Sequence, residues 1–298
     1  MPATIAFVGL GAMGLPMARN LVARGFTVAG FDVRPAAMEA LVEAGGRRVG
    51  SATEAARGAD FLLLMVVNAG QAEQVLFADG ALEALAPNGI VVLMATCPPG
   101  VVEALAARVL ASGRRFVDAP VSGGVVGAAG ATLTIMAAAP GETFDAAKPL
   151  LDALGDKVFH VGERPGQGAV VKAVNQLLCG VHIAVVAEAF SLAARLGVDL
   201  KILLQILGGS AASSWMLKDR GPRMLQAEPE VTSAVDIFVK DLGIVLEAGR
   251  EGKAALPLAA GAHQMFLATS GRGDGQADDS QVIRAYFALN GGPRPSGA

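Results

Sequence analysis

A glycine-rich segment near the N-terminus has the spacing of a phosphate-binding loop. It reads GxGxxG directly after a predicted strand and at the start of a predicted helix. The first glycine permits a tight turn, the second lets a pyrophosphate approach the backbone, and the third lets the helix pack on the strand. Free N–H groups at the helix start then bind the anion. The segment predicts a dinucleotide site formed by Gly9, Leu10, Gly11, Ala12, Met13 and Gly14.

An acidic residue at the end of the second predicted strand bears on the choice of nucleotide. Asp32 lies eighteen residues beyond Gly14, where a carboxylate can bind both hydroxyls of an adenosine ribose. Arg34 could meet a 2′-phosphate, but Asp32 would repel that phosphate. The pattern therefore predicts NAD and leaves NADP open because of Arg34. A plain glycine-rich turn in an aliphatic chain is the alternative to a cofactor loop.

One lysine stands in a strongly apolar helical segment. Its face of the helix continues through Asn175, Cys179, His182 and Val186. Most lysines are solvated, but Lys172 has alanine, valine and leucine neighbours and no acid within four residues. An ammonium group near a helix N-terminus in apolar surroundings has a lowered pKa, which suits proton transfer near neutral pH. Lys172 is therefore a predicted acid–base residue, with Asn175 placed to hold a ligand or orient the amine.

A second glycine cluster lies further along the first half. Ser122, Gly123 and Gly124 offer a hydroxyl and exposed backbone N–H groups, which suit a carboxylate. A plain loop is the alternative, and composition by itself favours it. Thr96 lies just past the end of an apolar strand, where open α/β sheets bind ligands. We assign Val66, near the end of another predicted strand, to the cofactor site as well.

Three more groups of residues have structural interpretations. Asp236 and Lys240 have the i,i+4 spacing of an ion pair. Trp215 is expected to anchor a core. Asp278, Asp279 and Ser280 are expected to cap the last helix.

Composition narrows the classes of protein open to this chain. Its 298 residues are 53% hydrophobic but only 5% aromatic, which indicates an aliphatic core and, at this length, about two domains. With 24 basic and 27 acidic residues, the net charge of -3 gives no electrostatic case for nucleic acid. Cys97 and Cys179 lie far apart, so neither a disulfide scaffold nor a zinc site is indicated and a reducing cytoplasm fits.

Two charge-free stretches, 84–102 and 119–141, are long enough to span a membrane. Their internal prolines and glycines exclude spanning helices. The first basic residue is Arg19, so the N-terminus lacks the basic region of a secretory signal. We expect no membrane association.

The first half of the chain alternates strands with helices. The predicted strands are 4–8, 26–31, 61–67, 90–94, 116–118 and 132–138. The predicted helices are 12–23, 36–44, 71–77, 101–110 and 144–154. This alternation predicts an α/β Rossmann domain over residues 1–163, with a doubly wound, mostly parallel sheet between layers of helices.

Strand signals stop near Gly166, and residues 164–290 are predicted to form an all-helical domain. Its predicted helices are 169–196, 200–207, 234–249, 256–268 and 280–289. The first is apolar nearly all round, which predicts a helix buried on most sides, against both halves or a second subunit. Asp199 is expected to cap the next helix. The tail 291–298 is predicted to be disordered.

Four segments in this order make the chain similar to a known family. They are GLGAMGLPMARNL, DAPVSGG, GQGAVVKAVNQ and KDLG. Over nearly its whole length the sequence resembles the β-hydroxyacid dehydrogenases, which include 3-hydroxyisobutyrate dehydrogenase and tartronate semialdehyde reductase. Within that family, VNAGQAEQVLF, LLCGVHIA, SSWML, VDIFVKDLGIV and DDSQVI resemble the members that act on a four-carbon sugar acid.

The resemblance implies NAD-dependent oxidation of a small hydroxy acid bound between the two domains. Lys172 would be the catalytic lysine, and the substrate ligands would be Asn175, Ser122, Gly123 and Gly124. Thr96 and Lys240 would contact the nicotinamide end of the cofactor, which weakens the ion-pair interpretation of Lys240. The chain departs from its relatives at Cys97-Pro98-Pro99, where small or polar residues are more usual.

Alternatives remain at this point. Another substrate of the family, such as 3-hydroxyisobutyrate or tartronate semialdehyde, would change only pocket residues. A related imine reductase often lacks the lysine, so Lys172 argues against it, and a non-catalytic dinucleotide sensor would need neither the lysine nor the carboxylate loop. A homodimer or homotetramer is expected, because so apolar a helical half has more hydrophobic surface than one small domain hides.

Overall fold

The structure is a computed structural model that describes residues 3–291. The chain divides into two compact units, Met1–Lys172 and Ala173–Ala298. The first contains the strands and the second is helical, which confirms the predicted fold class. Apart from Gly291, the tail predicted to be disordered lies outside the described residues.

One nine-stranded sheet organises the described part of the first unit. Its strands are β1 (Thr4–Val8), β2 (Thr27–Phe31), β3 (Arg47–Arg48), β4 (Phe61–Leu64), β5 (Ile90–Leu93), β6 (Arg115–Asp118), β7 (Val121–Ser122), β8 (Thr134–Ala138) and β9 (Lys157–Gly162). Their order is β3-β2-β1-β4-β5-β6-β8-β7, with β9 paired to β8. The first six strands run parallel, whereas β8 is antiparallel to β6 and β7. All residues of β4 and β5 are buried, as is typical of a parallel sheet covered on both faces.

Helices cover both faces of this sheet, and an aliphatic core lies on each face. The helices are α1 (Gly14–Ala23), α2 (Pro35–Glu43), α3 (Ala52–Ala56), α4 (Ala69–Glu73), α5 (Ala81–Ala84), α6 (Pro99–Ala111), α7 (Gly124–Gly130) and α8 (Gly141–Asp152), with a π-turn at Gln74–Ala78. Ile5 and Phe7 belong to one core, whereas Ala6 and Val8 belong to the other. This alternation follows from side chains pointing to opposite faces of a strand.

Short elements account for most differences from the sequence prediction. The patterns do not predict β3, β7 and β9, nor α3, α5 and α7. The predicted strand 61–67 is too long, because the chain leaves the sheet after Leu64. There the Val67 N–H donates to the Gln71 side chain at 2.9 Å, and Asn68 caps α4. Val66 therefore lies in a loop rather than in a strand.

In its described residues, the second unit consists of helices around one core. The remaining helices are α9 (Gln167–Arg195), whose first turns belong to the first unit, α10 (Leu200–Gly209), α11 (Trp215–Met224), α12 (Val235–Glu251), α13 (Pro257–Thr269) and α14 (Ile283–Asn290). Asp199 caps α10 as predicted, accepting from the N–H groups of Lys201 and Ile202. The prediction misses α11 because Gly221 and Pro222 interrupt its helical pattern.

One structural prediction in this unit is wrong, and another is confirmed only in part. Trp215, the first residue of α11 after the capping residue Ser214, is 55% exposed and so anchors no core. Asp278 does cap the 3₁₀ turn Asp279–Val282 before α14, but Asp279 is fully buried in an ion pair with Arg220.

Among the described residues, α9 is the one helix whose length and composition would allow it to cross a membrane. Of its most apolar window, 44% is buried inside the protein. Buried Gln176 on this helix donates to buried Asp241 of α12. A polar pair of this kind belongs to a protein core, so we interpret α9 as the central helix of the helical unit.

Candidate active site

The turn after β1 depends on glycine at two positions. Gly9 has a φ of 93°, a left-handed conformation that favours glycine. A Cβ at Gly9 would lie 2.5 Å from the Met65 carbonyl oxygen, and a Cβ at Gly14 would overlap the Gly9 carbonyl oxygen. The tight turn and the close approach of α1 to β1 both exclude larger residues at these positions.

Gly11 has no such packing requirement. A Cβ at this position would meet only the Nη2 atom of Arg34 within 4 Å, at 3.6 Å. No described side chain caps the N-terminus of α1, so none competes with an anion for the first N–H groups of the helix. Space beside Gly11 and an uncapped helix start together fit the pyrophosphate of a dinucleotide.

Asp32 lies beside this turn, directly after β2. It is 8% exposed, and its carboxylate accepts from the Leu10 N–H at 2.7 Å and the Arg34 N–H at 2.8 Å. Arg34 also donates from Nε to the same carboxylate at 3.1 Å and from Nη2 to the Leu10 carbonyl oxygen at 3.2 Å. Burial alone would raise the pKa of Asp32, but the hydrogen bonds from Arg34 and Leu10 outweigh burial and lower it. The carboxylate is therefore ionised at neutral pH.

Parallel strands bring several predicted residues to one edge of the sheet. Four backbone hydrogen bonds align the strand ends: Gly9 N to Phe31 O at 3.0 Å, Met65 N to Val8 O at 2.9 Å, Met94 N to Leu64 O at 2.9 Å and Ala119 N to Leu93 O at 2.8 Å. Half-buried Val66 and Thr96 follow β4 and β5 at this level. They share with Gly9 the carboxyl edge, where open α/β sheets bind ligands.

The second glycine cluster adopts a specialised backbone. Gly123 has a φ of 129° and Gly124 a φ of 61°, and both follow the half-buried Ser122 at the end of β7. No atom lies within 4 Å of a Cβ built on Gly124. The following helix is held against α1, because Asn20 Nδ2 donates to the Ala128 carbonyl oxygen at 2.7 Å. Gly123 and Gly124 therefore adopt backbone conformations that favour glycine, and anion binding by this loop stays a prediction.

Lys172 lies in the second turn of α9 and is 6% exposed. Lysine is rarely so buried in proteins. Asn175 follows one turn later on the same helix and is half-buried. Burial removes the ordinary interpretation of Lys172 as a solvated surface residue.

Sequence reasoning missed Asp118, the last residue of β6. Its carboxylate is 1% exposed and accepts from the N–H groups of Gly166 and Ala169, each at 2.9 Å. Burial raises the pKa of Asp118 to about 6, although these two hydrogen bonds and a third from the Gly168 N–H lower it. The available signal was an acid that ends an apolar strand and directly precedes the charge-free stretch 119–141.

Lys240 lies on α12 in the second unit. Its Nζ atom is 2.7 Å from Oδ1 of Asp241, whose other oxygen accepts from Gln176 at 2.5 Å. Asp236, the partner expected from spacing, accepts instead from the Ser270 hydroxyl at 2.6 Å and from the Gln276 side chain at 3.0 Å. Asn175 and Lys240 both belong to the second unit. Their predicted contacts, of Asn175 with the substrate and of Lys240 with the cofactor, stay predictions.

These features define the class of protein. A parallel sheet with a GxGxxG turn, an acid after β2 and ligand loops at the carboxyl edge is a dinucleotide-binding domain of an oxidoreductase. Residues 4–162 match the family model of the NAD binding domain of 6-phosphogluconate dehydrogenase. Residues 166–286 match the model described as NAD-binding of NADP-dependent 3-hydroxyisobutyrate dehydrogenase.

Individual relatives narrow this class. The chain is 45% identical to the L-threonate dehydrogenase of Cupriavidus necator, over 96% of this chain and 97% of that protein. It is 36% identical to the 2-(hydroxymethyl)glutarate dehydrogenase of Eubacterium barkeri, over 96% of each chain. The crystal structure of 3-hydroxyisobutyrate dehydrogenase from Salmonella typhimurium superimposes with a TM-score of 0.91 at 40% identity, covering 95% of this chain and 99% of that one.

The chain belongs to the β-hydroxyacid dehydrogenase family, which confirms the resemblance inferred from its four motifs. It is an NAD-dependent oxidoreductase of small hydroxy acids.

The contact between Gly14 and Gly9 allows a test of the cofactor turn. Gly14→Ala should force α1 away from β1, and overpacking of this kind costs about 1–3 kcal/mol. Because this displacement moves the N–H groups at the start of α1 away from the pyrophosphate, NADH affinity should fall about 5- to 150-fold. Fluorescence titration with NADH measures this change. Gly141→Ala, at a position with no atom near its Cβ, is the matched control, and wild-type affinity in Gly14→Ala would contradict the prediction.

Proposed function

We propose that this enzyme oxidises a four-carbon sugar acid such as L-threonate at its hydroxyl carbon, with Lys172 as the proton-transfer residue. The observation that carries the proposal is the burial of Lys172 on a helix whose first turn is bound to the end of β6. An L-threonate dehydrogenase that matches nearly the whole chain supports the substrate. We assign the cofactor to residues 1–163 and the substrate and subunit contacts to residues 164–290, apart from the carboxylate loop.

The reaction needs a base for the hydroxyl proton and a fixed carbinol carbon. NAD, when bound, supplies the hydride acceptor. The Nζ atom of Lys172 takes the hydroxyl proton, and its burial keeps bulk solvent away from this transfer. The Ser122 hydroxyl and the N–H groups of Gly123 and Gly124 bind the substrate carboxylate and so position the carbinol carbon. Asn175 holds the substrate or orients the amine.

A substrate panel tests this proposal. NADH absorbance is measured with L-threonate, its four-carbon stereoisomers and 3-hydroxyisobutyrate, and NADH consumption with tartronate semialdehyde. We expect the highest kcat/KM with L-threonate. A higher value with 3-hydroxyisobutyrate or tartronate semialdehyde would show that the narrower assignment is wrong, and absence of turnover with every hydroxy acid would contradict the activity itself.

For the cofactor we propose contacts from Gly9 to Gly14, Asp32, Val66, Thr96 and Lys240. We also propose that NAD is preferred over NADP. The ionised carboxylate of Asp32 repels a 2′-phosphate, and the guanidinium group of Arg34 is held by Asp32 and the Leu10 carbonyl oxygen. Parallel titrations with NADH and NADPH should show tighter binding of NADH. Tighter binding of NADPH would overturn the preference.

We propose a homodimer or homotetramer in which a second copy covers an apolar stripe of α9. Leu178, Val185 and Leu192 recur every seven residues and are 49%, 53% and 59% exposed. A seven-residue apolar repeat is typical of a helix that packs against another helix. Leu196, 72% exposed, extends the stripe.

Light scattering coupled to size-exclusion chromatography tests the assembly. The wild-type chain should elute as a dimer or tetramer, and Val185→Glu with Leu192→Glu should shift it to a smaller species. Asp145→Lys, at an exposed position of α8, is a control for charge. A monomeric wild-type protein would contradict the proposal.

We propose a cytoplasmic location, since the sequence has only two cysteines, Cys97 and Cys179, which lie far apart and indicate no disulfide scaffold. Subcellular fractionation of the expressing cells tests it. Recovery of the protein with secreted or membrane fractions would contradict this assignment.

A further inference from the structure

Asp118 connects two parts of the first unit that the proposed reaction needs. Its carboxylate accepts from the N–H group of Gly166, which directly precedes α9, and from that of Ala169 in the first turn of α9. Lys172 lies one turn beyond Ala169 on that helix. The chain that leaves Asp118 reaches Ser122 within four residues. One buried side chain therefore lies between the lysine helix and the carboxylate loop.

The start of α9 fits tightly against the sheet at this point. A Cβ at Gly168 would lie 2.5 Å from the Met136 carbonyl oxygen and 2.9 Å from the Asp118 carbonyl oxygen. Gly166 has a φ of 97°, which lets the chain turn directly into the helix. Because both glycines allow this close approach, the hydrogen bonds to Asp118 fix the position of the first turn relative to β6.

The loop on the other side of Asp118 is equally constrained. The Ala119 N–H donates to the Leu93 carbonyl oxygen at 2.8 Å, and the Met136 N–H donates to the Pro120 carbonyl oxygen at 3.0 Å. The loop therefore leaves β6 along a fixed path toward Ser122.

We propose that Asp118 is a positioning residue, which sets the distance between Lys172 and the Ser122 carboxylate loop by binding the first turn of α9. The inference rests on the proposed role of Lys172. A displacement of about 1 Å between reacting groups can reduce turnover on the order of 10²-fold. Asp118 is thus expected to affect turnover through Lys172, without contacting substrate.

The ionisation state of Asp118 should control how strongly it binds the first turn of α9. Its strand neighbours are Leu93 and Ala138, which carry no charge. Among the ionisable groups of the packed helices, Glu103 of α6 lies against Gly166 and Lys172 follows Ala169 by one turn on α9, while the ionisable side chains of α8 are exposed. Burial raises the pKa of Asp118 to about 6, so the carboxylate loses its charge in the mildly acidic range. Protonation weakens its charge-assisted hydrogen bonds to α9.

The kinetic test compares Asp118→Ala with Asp118→Asn, and uses Asp145→Ala, an exposed acid of α8, as the matched control. Alanine removes the acceptor and should lower kcat on the order of 10²-fold, with NADH affinity unchanged. Asparagine keeps an uncharged acceptor oxygen and should restore part of this loss. In the wild type, kcat should fall as the pH drops below about 6, because Asp118 then becomes protonated. Asp118→Asn should lack this fall.

Hydrogen exchange tests the same proposal without activity. Asp118→Ala should speed exchange of the amides of Gly166 and Ala169, while Asp145→Ala should leave them unchanged. Unchanged exchange in Asp118→Ala, wild-type turnover in that variant, or a retained fall of kcat below about pH 6 in Asp118→Asn would overturn the proposal. If the wild type oxidises no hydroxy acid, or Lys172→Ala remains active, the proposed function fails and exchange alone decides the role of Asp118.

Discussion

Lys172→Ala should lower turnover of the hydroxy acid by about 10²- to 10⁴-fold, the usual contribution of a positioned acid–base group. The side chain is 6% exposed, so solvent has little access to replace its amine as the proton acceptor. The dinucleotide turn at Gly9 lies on a different loop of the unit, and NADH affinity should therefore remain within about twofold of wild type.

Three measurements separate a catalytic role of Lys172 from a structural one. Steady-state NADH production gives kcat, fluorescence titration gives NADH affinity, and added small alkylamines test whether a free amine restores turnover. Lys148→Ala is the matched control, because that lysine is exposed on α8 and pairs with Asp152. Wild-type turnover in Lys172→Ala would show that Lys172 takes no part in the reaction. Loss of both turnover and NADH binding would indicate misfolding.

Arg220→Met should destabilise the protein by about 3–5 kcal/mol, the usual cost of removing one partner of a buried ion pair. Arg220 of α11 binds Asp279 through two hydrogen bonds, from Nε at 2.7 Å and from Nη2 at 2.9 Å. It also contacts Asp219. The Asp279 side chain is fully buried, so its carboxylate would be left without its cation.

A double-mutant cycle measures this interaction. The free energy of unfolding in urea is compared for the wild type, Arg220→Met, Asp279→Leu and the double variant, which should recover much of the loss because it leaves no buried charge unpaired. Lys148→Met, which breaks a half-exposed pair, should cost no more than about 1 kcal/mol. A cost below about 1 kcal/mol for Arg220→Met would contradict the argument.

Local patterns were sufficient for the dinucleotide turn and the order of the main elements. Gly9, Gly14 and Asp32 all lie within the first β-α-β segment, so their roles depend on a strand, a turn and a helix that are contiguous in the chain. The parallel strands β1, β4 and β5 are short runs of apolar residues, and such runs are recognisable without their partners.

Elements with mixed patterns could not be predicted in this way. The segment of α7 reads GVVGAAG, a composition with low helix propensity, and its helix is held by the hydrogen bond from Asn20 to Ala128. In α11, Gly221 and Pro222 interrupt the helical sequence pattern, but the segment still forms a helix that packs through buried Leu217 and Met224. Both segments are helical because of what they pack against.

The sequence by itself therefore determined the fold class, the cofactor turn, the family and the choice of Lys172 as a candidate, since each depends on residue types and spacings along the chain. Only the tertiary structure showed that Lys172 is buried and that Lys240 pairs with Asp241. It also joined Asp118 to Ala169, 51 residues away, and Arg220 to Asp279, 59 residues away. A charged residue is visible in a sequence, but its burial and its partner depend on which distant strands and helices pack around it.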